Sequence, residues 1–315
     1  MKRKNNLYKD IYDLGNIMAV YSEICRNTKN KRKVARYKEH KCRNIFRVYT
    51  ILKNKQYVPG RPFVFTIYEP KERRIESQSM EDKLVNHLVS RYILYPAIIP
   101  SLVESNVASR ADKGTGAGLE YFKEYSRVCK VKYGTYYILK FDIQKFFYSI
   151  DKEILKQKVR RKIKDKDALD IVDKIIDNEE HGLGIGNMTS QVLAIFYLND
   201  LDHYIKEELG IKYYIRYQDD ALLFHPSKKY LKECLVKIEK FLEKEKLTLN
   251  RKTRIYKSTD NFIFLGRNNK GRYSKYRTAR RKIKKRLYLY SVGKVDLNGM
   301  TNTIVNFNSL LKERF

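Results

Sequence analysis

Two adjacent carboxylates interrupt an apolar, β-rich part of the chain. The sequence Tyr217-Gln-Asp-Asp220 lies between residues 211–217 and 221–224, both of which have a strand pattern. An Asp pair is common in turns, but a tight hairpin turn more often uses Asn-Gly or Asp-Gly. Neighbouring carboxylates between strands repel each other, and a divalent cation removes that repulsion. The pattern therefore predicts a metal site at the tip of a β-hairpin.

A third carboxylate ends another β-rich run. Asp142 follows Tyr136–Phe141, so a core strand is expected to deliver it. In phosphoryl transfer, two divalent ions about 4 Å apart activate the attacking hydroxyl and stabilise the leaving group, and carboxylates on rigid strands hold them. Asp142, Asp219 and Asp220 are therefore predicted to bind two Mg²⁺ ions, with Mn²⁺ as an alternative.

Helical and β-rich segments alternate around these carboxylates. Apolar residues recur at helical spacing in the segments 7–18, 82–96, 154–177, 190–208 and 228–244. Thr189 or Ser190 is predicted to cap the helix over 190–208. Ile255-Tyr256 is predicted to pair with Phe262–Gly266 in a small hairpin. Together these patterns predict an α+β fold.

The net charge indicates a polyanionic partner. Lys and Arg number 67 against 36 Asp and Glu, a formal charge of +31 at pH 7, and this excess predicts nucleic-acid binding. The segment Arg26–Arg36 is especially dense in positive charge, a pattern that is usually a solvated face. No lipidation signal, clear amphipathic basic helix or long apolar span indicates a membrane partner. Without a signal peptide or cysteines at ligand spacing, we expect a cytoplasmic protein with reduced thiols.

The chain from Tyr8 to about Leu311 resembles the bacterial reverse transcriptases, and among them those of diversity-generating retroelements. Phe141–Ile150, FDIQKFFYSI, resembles the first catalytic palm motif, and Tyr217–Asp220 resembles the Tyr-x-Asp-Asp box. The resemblance implies a right-hand polymerase fold. The fingers, with N-terminal helices, would span 1–135; a palm of antiparallel sheet and helices with a helical insertion would span 136–266; and a short basic helical thumb would span 267–315.

The resemblance also implies an activity and its participants. The enzyme would be an RNA-directed DNA polymerase that makes cDNA from a structured template RNA by two-metal nucleotidyl transfer. It would use deoxynucleoside triphosphates and would bind the RNA/cDNA duplex. A basic accessory protein that assembles through RNA is a further implied partner. No maturase, endonuclease or ribonuclease H region is recognised, so we expect none of those activities.

The matching motifs assign roles to individual residues. Asp142 and Asp219 are implied as direct metal ligands, Asp220 as the second member of the box, and the carbonyl of Ile143 as a further ligand. Residues matched to the nucleotide site are Lys71 and Arg73 for the triphosphate, Arg110, Phe147 as the steric gate against a ribose 2′-hydroxyl, Ile185, Gln191, and Lys252 as general acid for pyrophosphate. Residues matched to primer, template or duplex are Lys113, Tyr217, Phe264, Gly266, Arg280, Arg281 and Lys284.

One stretch is most specific for a subfamily. Gly184–Gln191, GIGNMTSQ, has Ile185 where intron and viral relatives carry a Gln before the second Gly. Ile removes a hydrogen-bonding side chain from the edge of the implied nucleotide pocket. The resemblance therefore implies loosened base selection and error-prone synthesis.

Two other functions stay open. A defence-associated or retron-type reverse transcriptase shares the palm and makes cDNA from a noncoding RNA during phage infection. The Tyr-Gln-Asp-Asp box permits this function, as does Ala111-Asp112, which departs from the family's more usual Lys-Gly-Lys-Gly-Thr. The second alternative is an inactive RNA-binding scaffold, but such a protein has no reason to keep uncompensated carboxylates on a surface that meets phosphates.

Overall fold

Strands and helices alternate along the chain, as predicted, and the computed structural model describes residues 3–67, 73–111, 113–268 and 274–312. They belong to two units. The first comprises Met1–Phe65 with Arg74–Ile255, and the second comprises Thr66–Arg73 with Tyr256–Phe315. The division into fingers, palm and thumb, with boundaries at residues 135 and 266, stays a prediction.

The helices of the first unit begin where the sequence offers caps. Six short polar side chains accept hydrogen bonds from backbone N–H groups of the following first turn: those of Asp13, Asn30, Ser79, Asp151, Asp165 and Ser227. The helices are α1 (Leu14–Asn27), α2 (Lys31–Glu39), α3 (Lys41–Lys53), α4 (Met80–Val89), α5 (Tyr95–Ile98), α6 (Thr115–Tyr133), α7 (Phe146–Ser149), α8 (Lys152–Arg160), α9 (Lys166–Asp177), α10 (Met188–Tyr197), α11 (Asn199–His203) and α12 (Lys228–Lys244). Short 3₁₀ helices lie at Tyr8–Ile11 and Ile99–Ser101, and single π-helical turns lie at Ser90–Leu94 and Tyr204–Glu208.

A four-stranded sheet carries the predicted catalytic carboxylates. The strands of the chain are β1 (Phe63–Ile67), β2 (Arg73–Ser77), β3 (Tyr137–Phe141), β4 (Tyr213–Tyr217), β5 (Asp220–His225), β6 (Arg254–Lys257), β7 (Ile263–Phe264) and β8 (Arg267–Asn268). The sheet has the order β4-β5-β3-β6, and β1 and β2 pair separately. Both β4 and β3 run antiparallel to β5, with Tyr217 opposite Asp220 and Phe141 opposite Ala221. This register places Asp142, the residue after β3, beside the turn that holds Asp219.

The helices around the sheet bury their apolar faces in one core. α10 is buried along most of its length, and α8, α9 and α12 each bury one face. Side chains such as Ile195 and Leu223 have no exposed surface, and burying a side chain of this size contributes about 1.5–3 kcal/mol. The strands that carry the carboxylates are therefore held rigidly.

In the second unit, β7 and β8 form a short hairpin and two helices follow. Phe264 pairs with Arg267, and the turn between them uses Leu265 (φ 48°) and Gly266 (φ 80°). The helices are α13 (Ser274–Ser291) and α14 (Leu297–Lys312), which pack against each other.

Two predictions about local structure were wrong. α10 begins at Met188, so Thr189 and Ser190 lie inside the helix rather than at its cap, and the Thr189 hydroxyl instead satisfies buried Asn86 at 2.5 Å. Ile255-Tyr256 belongs to β6 beside β3, and the small hairpin forms between β7 and β8. A strand gains more from joining a buried sheet than from an isolated two-stranded hairpin. Among the described helices, none has the length and apolar character needed to span a bilayer.

Candidate active site

The hairpin between β4 and β5 turns at Gln218 and Asp219. Gln218 has φ +55°, a left-handed conformation that is uncommon for residues other than glycine. Its carbonyl accepts a hydrogen bond from the Arg216 guanidinium at 2.7 Å, and its side-chain amide donates to Ser109 Oγ at 2.8 Å. Main chain and side chain of the residue before Asp219 are therefore both held.

Arg216 is itself held by a buried ion pair. Its guanidinium donates to the Asp202 carboxylate at 2.6 and 2.5 Å and to the Ile195 carbonyl at 2.8 Å. The Tyr214 hydroxyl also donates to Asp202, at 2.6 Å. Both charged side chains are 0% exposed, and a buried charge of either sign is costly without its partner. The pair therefore fastens β4 to α10 and α11.

The carboxyl groups of Asp142 and Asp219 lie within hydrogen-bonding distance of each other. The pKa of Asp219 is raised to about 7, first by burial, then by the charge of Asp142 and by the hydrogen bond with Asp142. Two close carboxylates cannot both ionise without cost. Asp219 therefore keeps its proton to a higher pH than an isolated carboxyl group does.

Asp220 lies against an ammonium group. Lys140 on β3 donates to both carboxylate oxygens of Asp220, at 2.5 and 2.7 Å. Burial raises the pKa of Asp220, and Lys140 opposes this shift. The structure thus brings Asp142 and Asp219 together and places the third predicted acid on a lysine, so the metal-ligand role of Asp220 stays a prediction.

Asn250 supports Asp142 from a neighbouring segment. Its side-chain amide donates to Asp142 Oδ2 at 3.2 Å, and its backbone N–H donates to the Asp142 carbonyl at 2.7 Å. Gln144 N donates to the Thr248 carbonyl at 2.9 Å, so these backbone bonds bracket the buried Ile143 and leave its carbonyl unused by the pairing. Lys252 is exposed two residues after Asn250, to whose side-chain oxygen its N–H donates at 3.1 Å.

The glycine-rich loop over 182–187 rests on the backbone of Phe147. Leu183 N donates to the Phe147 carbonyl at 2.7 Å. Gly182 has φ +55°, and a Cβ there would lie 2.7 Å from the Tyr148 carbonyl carbon and oxygen and closer still to the Phe147 carbonyl. Glycine is therefore required for this contact. The half-buried Phe147 ring, the predicted steric gate, packs edge-on against Phe146 with centroids 5.8 Å apart.

A pair of glutamates joins the same loop to β2. Burial, followed by the hydrogen bond with Glu76, raises the pKa of Glu179 to about 8. Asn187 donates to Glu179 Oε1 at 3.0 Å, and Glu76 N donates to the Ile185 carbonyl at 3.1 Å. A Cβ on Gly184 would lie 2.6 Å from the Glu179 carboxylate oxygens. The loop that carries Ile185 thus lies against the carboxyl group of Glu179 and the backbone of Glu76.

Glu179→Gln is expected to flatten the pH dependence of stability. The ordinary pKa of 4.5 rises to about 8 in the folded state, so between these values the folded protein keeps a proton that the unfolded chain has released. The free energy of unfolding therefore falls as the pH rises through this window. Urea unfolding at about pH 5 and pH 8.5 measures the difference. Glu180→Gln, at an exposed neighbour, is the control, and an unchanged slope in Glu179→Gln would contradict the raised pKa of Glu179.

Predicted nucleotide and template contacts before α6 are engaged within the first unit. The Arg110 guanidinium donates to the carbonyls of Val103 and Asn106, both at 3.0 Å, and lies 3.6 Å from the Glu104 carboxylate. Lys113 forms an ion pair with Glu104 and donates to its carbonyl at 2.6 Å. A nucleotide or template would have to compete with these partners.

Gln191 is linked through Ser109 to the turn that holds Asp219. Gln191 Oε1 is 3.4 Å from Ser109 Oγ, which also accepts from Gln218. Tyr217 is half-buried against the core. The structure therefore joins Gln191, through Ser109, to the turn of Asp219.

Other predicted contacts belong to the second unit or lie outside the described residues. Lys71 lies outside them. Arg73 is exposed on β2, Phe264 is 2% exposed on β7, Gly266 is in the following turn, and Arg280, Arg281 and Lys284 are exposed on α13. Their roles stay predictions.

Sequence analysis missed four residues that support the site. Asn250 stands two residues before Lys252, and only Lys252 was assigned a role. Lys140 stands two residues before Asp142. Alternation along a strand offered a signal for Lys140, since it shares a face with Asp142. No local pattern indicated the Arg216–Asp202 pair.

The donors at the carboxylate pair fit a divalent cation. No group of three or more His, Cys, Asp or Glu side chains in the described ranges is arranged to hold a metal ion. Carboxylate and carbonyl oxygens are nevertheless the ligands that Mg²⁺ and Mn²⁺ prefer, and the carboxyl groups of Asp142 and Asp219 lie within hydrogen-bonding distance of each other. A cation there would remove the repulsion that raises the pKa of Asp219.

Comparisons with known proteins agree on the fold. Telomerase from Candida albicans, in a complex with the TWJ fragment of telomeric RNA, superposes with a TM-score of 0.51 at 15% identity, over 69% of this chain and 45% of that chain. Apo telomerase from Candida tropicalis, truncated from its C-terminal domain, superposes with a TM-score of 0.51 at 14% identity, over 73% and 58%. The chain thus spans about half the length of these structures, which share its right-hand polymerase fold.

Sequence comparison identifies the family. No curated protein matches the chain. Residues 68–268, well over half of the chain, match the family described as reverse transcriptase (RNA-dependent DNA polymerase). This range contains β3, the β4–β5 hairpin and the Asn250 segment. The chain therefore belongs to the reverse transcriptase family.

Proposed function

We propose that the chain is an active RNA-directed DNA polymerase that copies a template RNA into cDNA from deoxynucleoside triphosphates. The observation that carries this proposal is the meeting of the Asp142 and Asp219 carboxyl groups at the ends of adjacent strands. A protein that only binds RNA gains nothing from two half-buried carboxyl groups within hydrogen-bonding distance of each other.

The residues of the site have separate roles in this proposal. Two bound Mg²⁺ ions would supply activation of the primer 3′-hydroxyl and stabilisation of the leaving pyrophosphate. Asp142, Asp219 and the Ile143 carbonyl would hold them, and Asp220 would join these ligands if its ion pair with Lys140 opened. Asn250 orients Asp142. The Phe147 ring excludes a ribose 2′-hydroxyl, and Lys252 neutralises or protonates the pyrophosphate.

Primer extension tests the proposal directly. A DNA primer annealed to an RNA template is incubated with the four deoxynucleoside triphosphates and Mg²⁺ or Mn²⁺. Template-directed extension that stops on chelation and returns when the ion is restored is the expected result. Absence of product with either ion, on both RNA and DNA templates, would favour the inactive RNA-binding scaffold.

We further propose that synthesis is error-prone and serves a diversity-generating retroelement. Ile185 stands on a loop whose position is set by Glu76 and Phe147, so an apolar side chain occupies a fixed place at the implied nucleotide pocket. An alkyl side chain has no hydrogen-bonding group with which to stabilise a correct base pair over an incorrect one.

Ile185→Gln is expected to raise fidelity, by about tenfold for one restored hydrogen bond. Sequencing of cDNA made on a template with many adenines measures the misincorporation rate. Ile185→Leu, which keeps the apolar character, serves as the control. Unchanged misincorporation opposite adenine in Ile185→Gln would refute the role of this residue.

A defence-associated or retron-type enzyme is the second candidate. Two observations support this candidate. The sequence departs from the usual family motif at Ala111, and Lys113 pairs with Glu104 instead of being available for the template contact that the motif implies. Sequencing the RNA and DNA that copurify with the protein separates the two. Near-identical repeats that differ at adenine positions support diversification, and a dedicated noncoding RNA supports defence. If the chain serves a diversity-generating retroelement, a basic accessory protein would assemble with it through RNA, because both proteins carry positive charge.

A further inference from the structure

A strongly charged surface lies on the N-terminal helices, on elements that carry none of the catalytic carboxylates. Between Arg26 and Lys53 the chain has eleven Lys and Arg residues and one acidic residue, Glu39, a net charge of +10 out of +31. They lie at the end of α1, in the segment after it, and on α2 and α3. α2 and α3 carry nine of the eleven cations together with Glu39, a net charge of +8, which is about a quarter of the total.

Apolar side chains fix these helices to the first unit. Val34 of α2 and three residues of α3 are buried, and the Tyr37 ring stacks on Tyr21 with centroids 5.1 Å apart. Most of the basic side chains on these helices are exposed, whereas the half-buried Lys33 donates to the Gln78 carbonyl at 2.5 Å. Six exposed cations of α2 and the first turn of α3 define what we call the α2–α3 surface: Lys31, Arg32, Arg36, Lys38, Lys41 and Arg43.

The α2–α3 surface is not neutralised by the part of the chain that the structure describes. None of its six residues forms an ion pair there, whereas neighbouring Arg47 pairs with Glu81 at 3.2 Å. On α8 the arrangement is different, because Lys156, Lys158 and Arg160 each pair with an Asp, at 2.6, 2.8 and 2.5 Å. Unpaired like charges repel one another, so a polyanion gains electrostatic free energy at the α2–α3 surface.

We propose that the α2–α3 surface binds the phosphate backbone of a double-helical segment of the template RNA, outside the strand being copied. The identity of that RNA rests on the proposed function, but the site does not. Single-stranded RNA is held by successive aromatic rings beside a basic groove, and these helices expose one large ring, Phe46 at 59%. Double-stranded RNA is recognised through its shape and its phosphates. Exposed cations on two helices that are packed against the core can contact such phosphates.

Two other occupants fit the surface less well. A membrane-binding helix directs its apolar residues outward into the lipid, whereas Val34, Ile45, Val48 and Leu52 face the protein core. A second copy of this chain carries the same +31 charge and would be repelled.

Equilibrium binding to a labelled RNA hairpin, measured by fluorescence anisotropy at several salt concentrations, tests the proposal. The test variant is Arg32→Gln/Arg36→Gln/Lys38→Gln/Lys41→Gln. We expect at least a tenfold loss of affinity and a decrease of about 3 in the slope of log K against log salt, because each lost phosphate contact removes about 0.7–0.9. Gln keeps a high helix propensity, and circular dichroism checks that α2 and α3 still form.

A matched variant separates position from total charge. It is Lys228→Gln/Lys232→Gln/Lys237→Gln/Lys240→Gln, which removes the same charge from exposed positions of α12. Equal losses in both variants, wild-type binding by the α2–α3 variant, or an equal loss toward unstructured RNA of the same length would each overturn the proposal. So would a loss of binding to anionic phospholipid vesicles with RNA binding intact. The assay needs no turnover, so an inactive wild-type enzyme would count against the proposed function and leave this result readable.

Discussion

Asp219→Asn is expected to lower the rate of deoxynucleotide incorporation by more than about 10³-fold. Bound divalent ions contribute several kcal/mol of transition-state stabilisation, and each 1.36 kcal/mol corresponds to about a tenfold change in rate. A neutral amide beside Asp142 offers one oxygen and no charge to hold them. Single-turnover extension of a primer on an RNA template, at saturating nucleotide and Mg²⁺, measures the effect. The double substitution Asp219→Ala/Asp220→Ala is expected to abolish all product.

Asp219→Asn is also expected to stabilise the protein when divalent ions are absent. Burial and Asp142 raise the pKa of Asp219 to about 7, so above this pH the folded state holds two repelling carboxylates that the unfolded chain separates. Thermal unfolding in a chelator at about pH 8 should give a higher Tm for Asp219→Asn than for wild type. Asp170→Asn, at a side chain 60% exposed in a surface ion pair, should change neither activity nor Tm. Full activity in Asp219→Asn would remove this residue from the metal site.

The meeting of Asp142 and Asp219 could be predicted because short-range signals agree at both positions. Each acid ends an apolar β-rich run, and the hairpin fixes the partner of β4 through a tight turn. The register that places Phe141 opposite Ala221 does not follow from alternation, because β3 and β5 are buried at most of their central positions. The family motif and the two β-rich runs were sufficient to bring this pair together, but not to give the register.

What surrounds the pair could not be predicted in the same way. Lys140 neutralises Asp220 across two strands that are 80 residues apart in sequence, and Asn250 reaches Asp142 over a separation of 108 residues. Such contacts depend on which surfaces pack together, a property that neither propensity nor local spacing encodes. The same reason explains β6, whose residues suited a local hairpin but joined the central sheet.

Arg216→Met is expected to destabilise the fold by about 3–5 kcal/mol and to reduce activity by about 100-fold. The substitution leaves the Asp202 carboxylate buried without its guanidinium partner, and a broken buried pair costs about that much. It also removes the donor to the carbonyl of Gln218, whose φ of +55° sets the direction of Asp219. A displacement of a catalytic group by about 1 Å is enough for a 100-fold loss. Urea unfolding gives the first quantity, and single-turnover extension at saturating substrate gives the second.

The double variant Arg216→Met/Asp202→Asn distinguishes support of the fold from support of the turn. Neutralising Asp202 removes the unpaired buried charge, while Tyr214 can still donate to the remaining oxygen, so most of the lost stability should return. The carbonyl of Gln218 still lacks its donor, so kcat should stay low while the KM for nucleotide changes little. Recovery of kcat in step with stability would mean that Arg216 acts on the fold alone. Continued loss of kcat in a restored fold would mean that the guanidinium positions Asp219 through the strained turn, as its hydrogen bond to Gln218 implies.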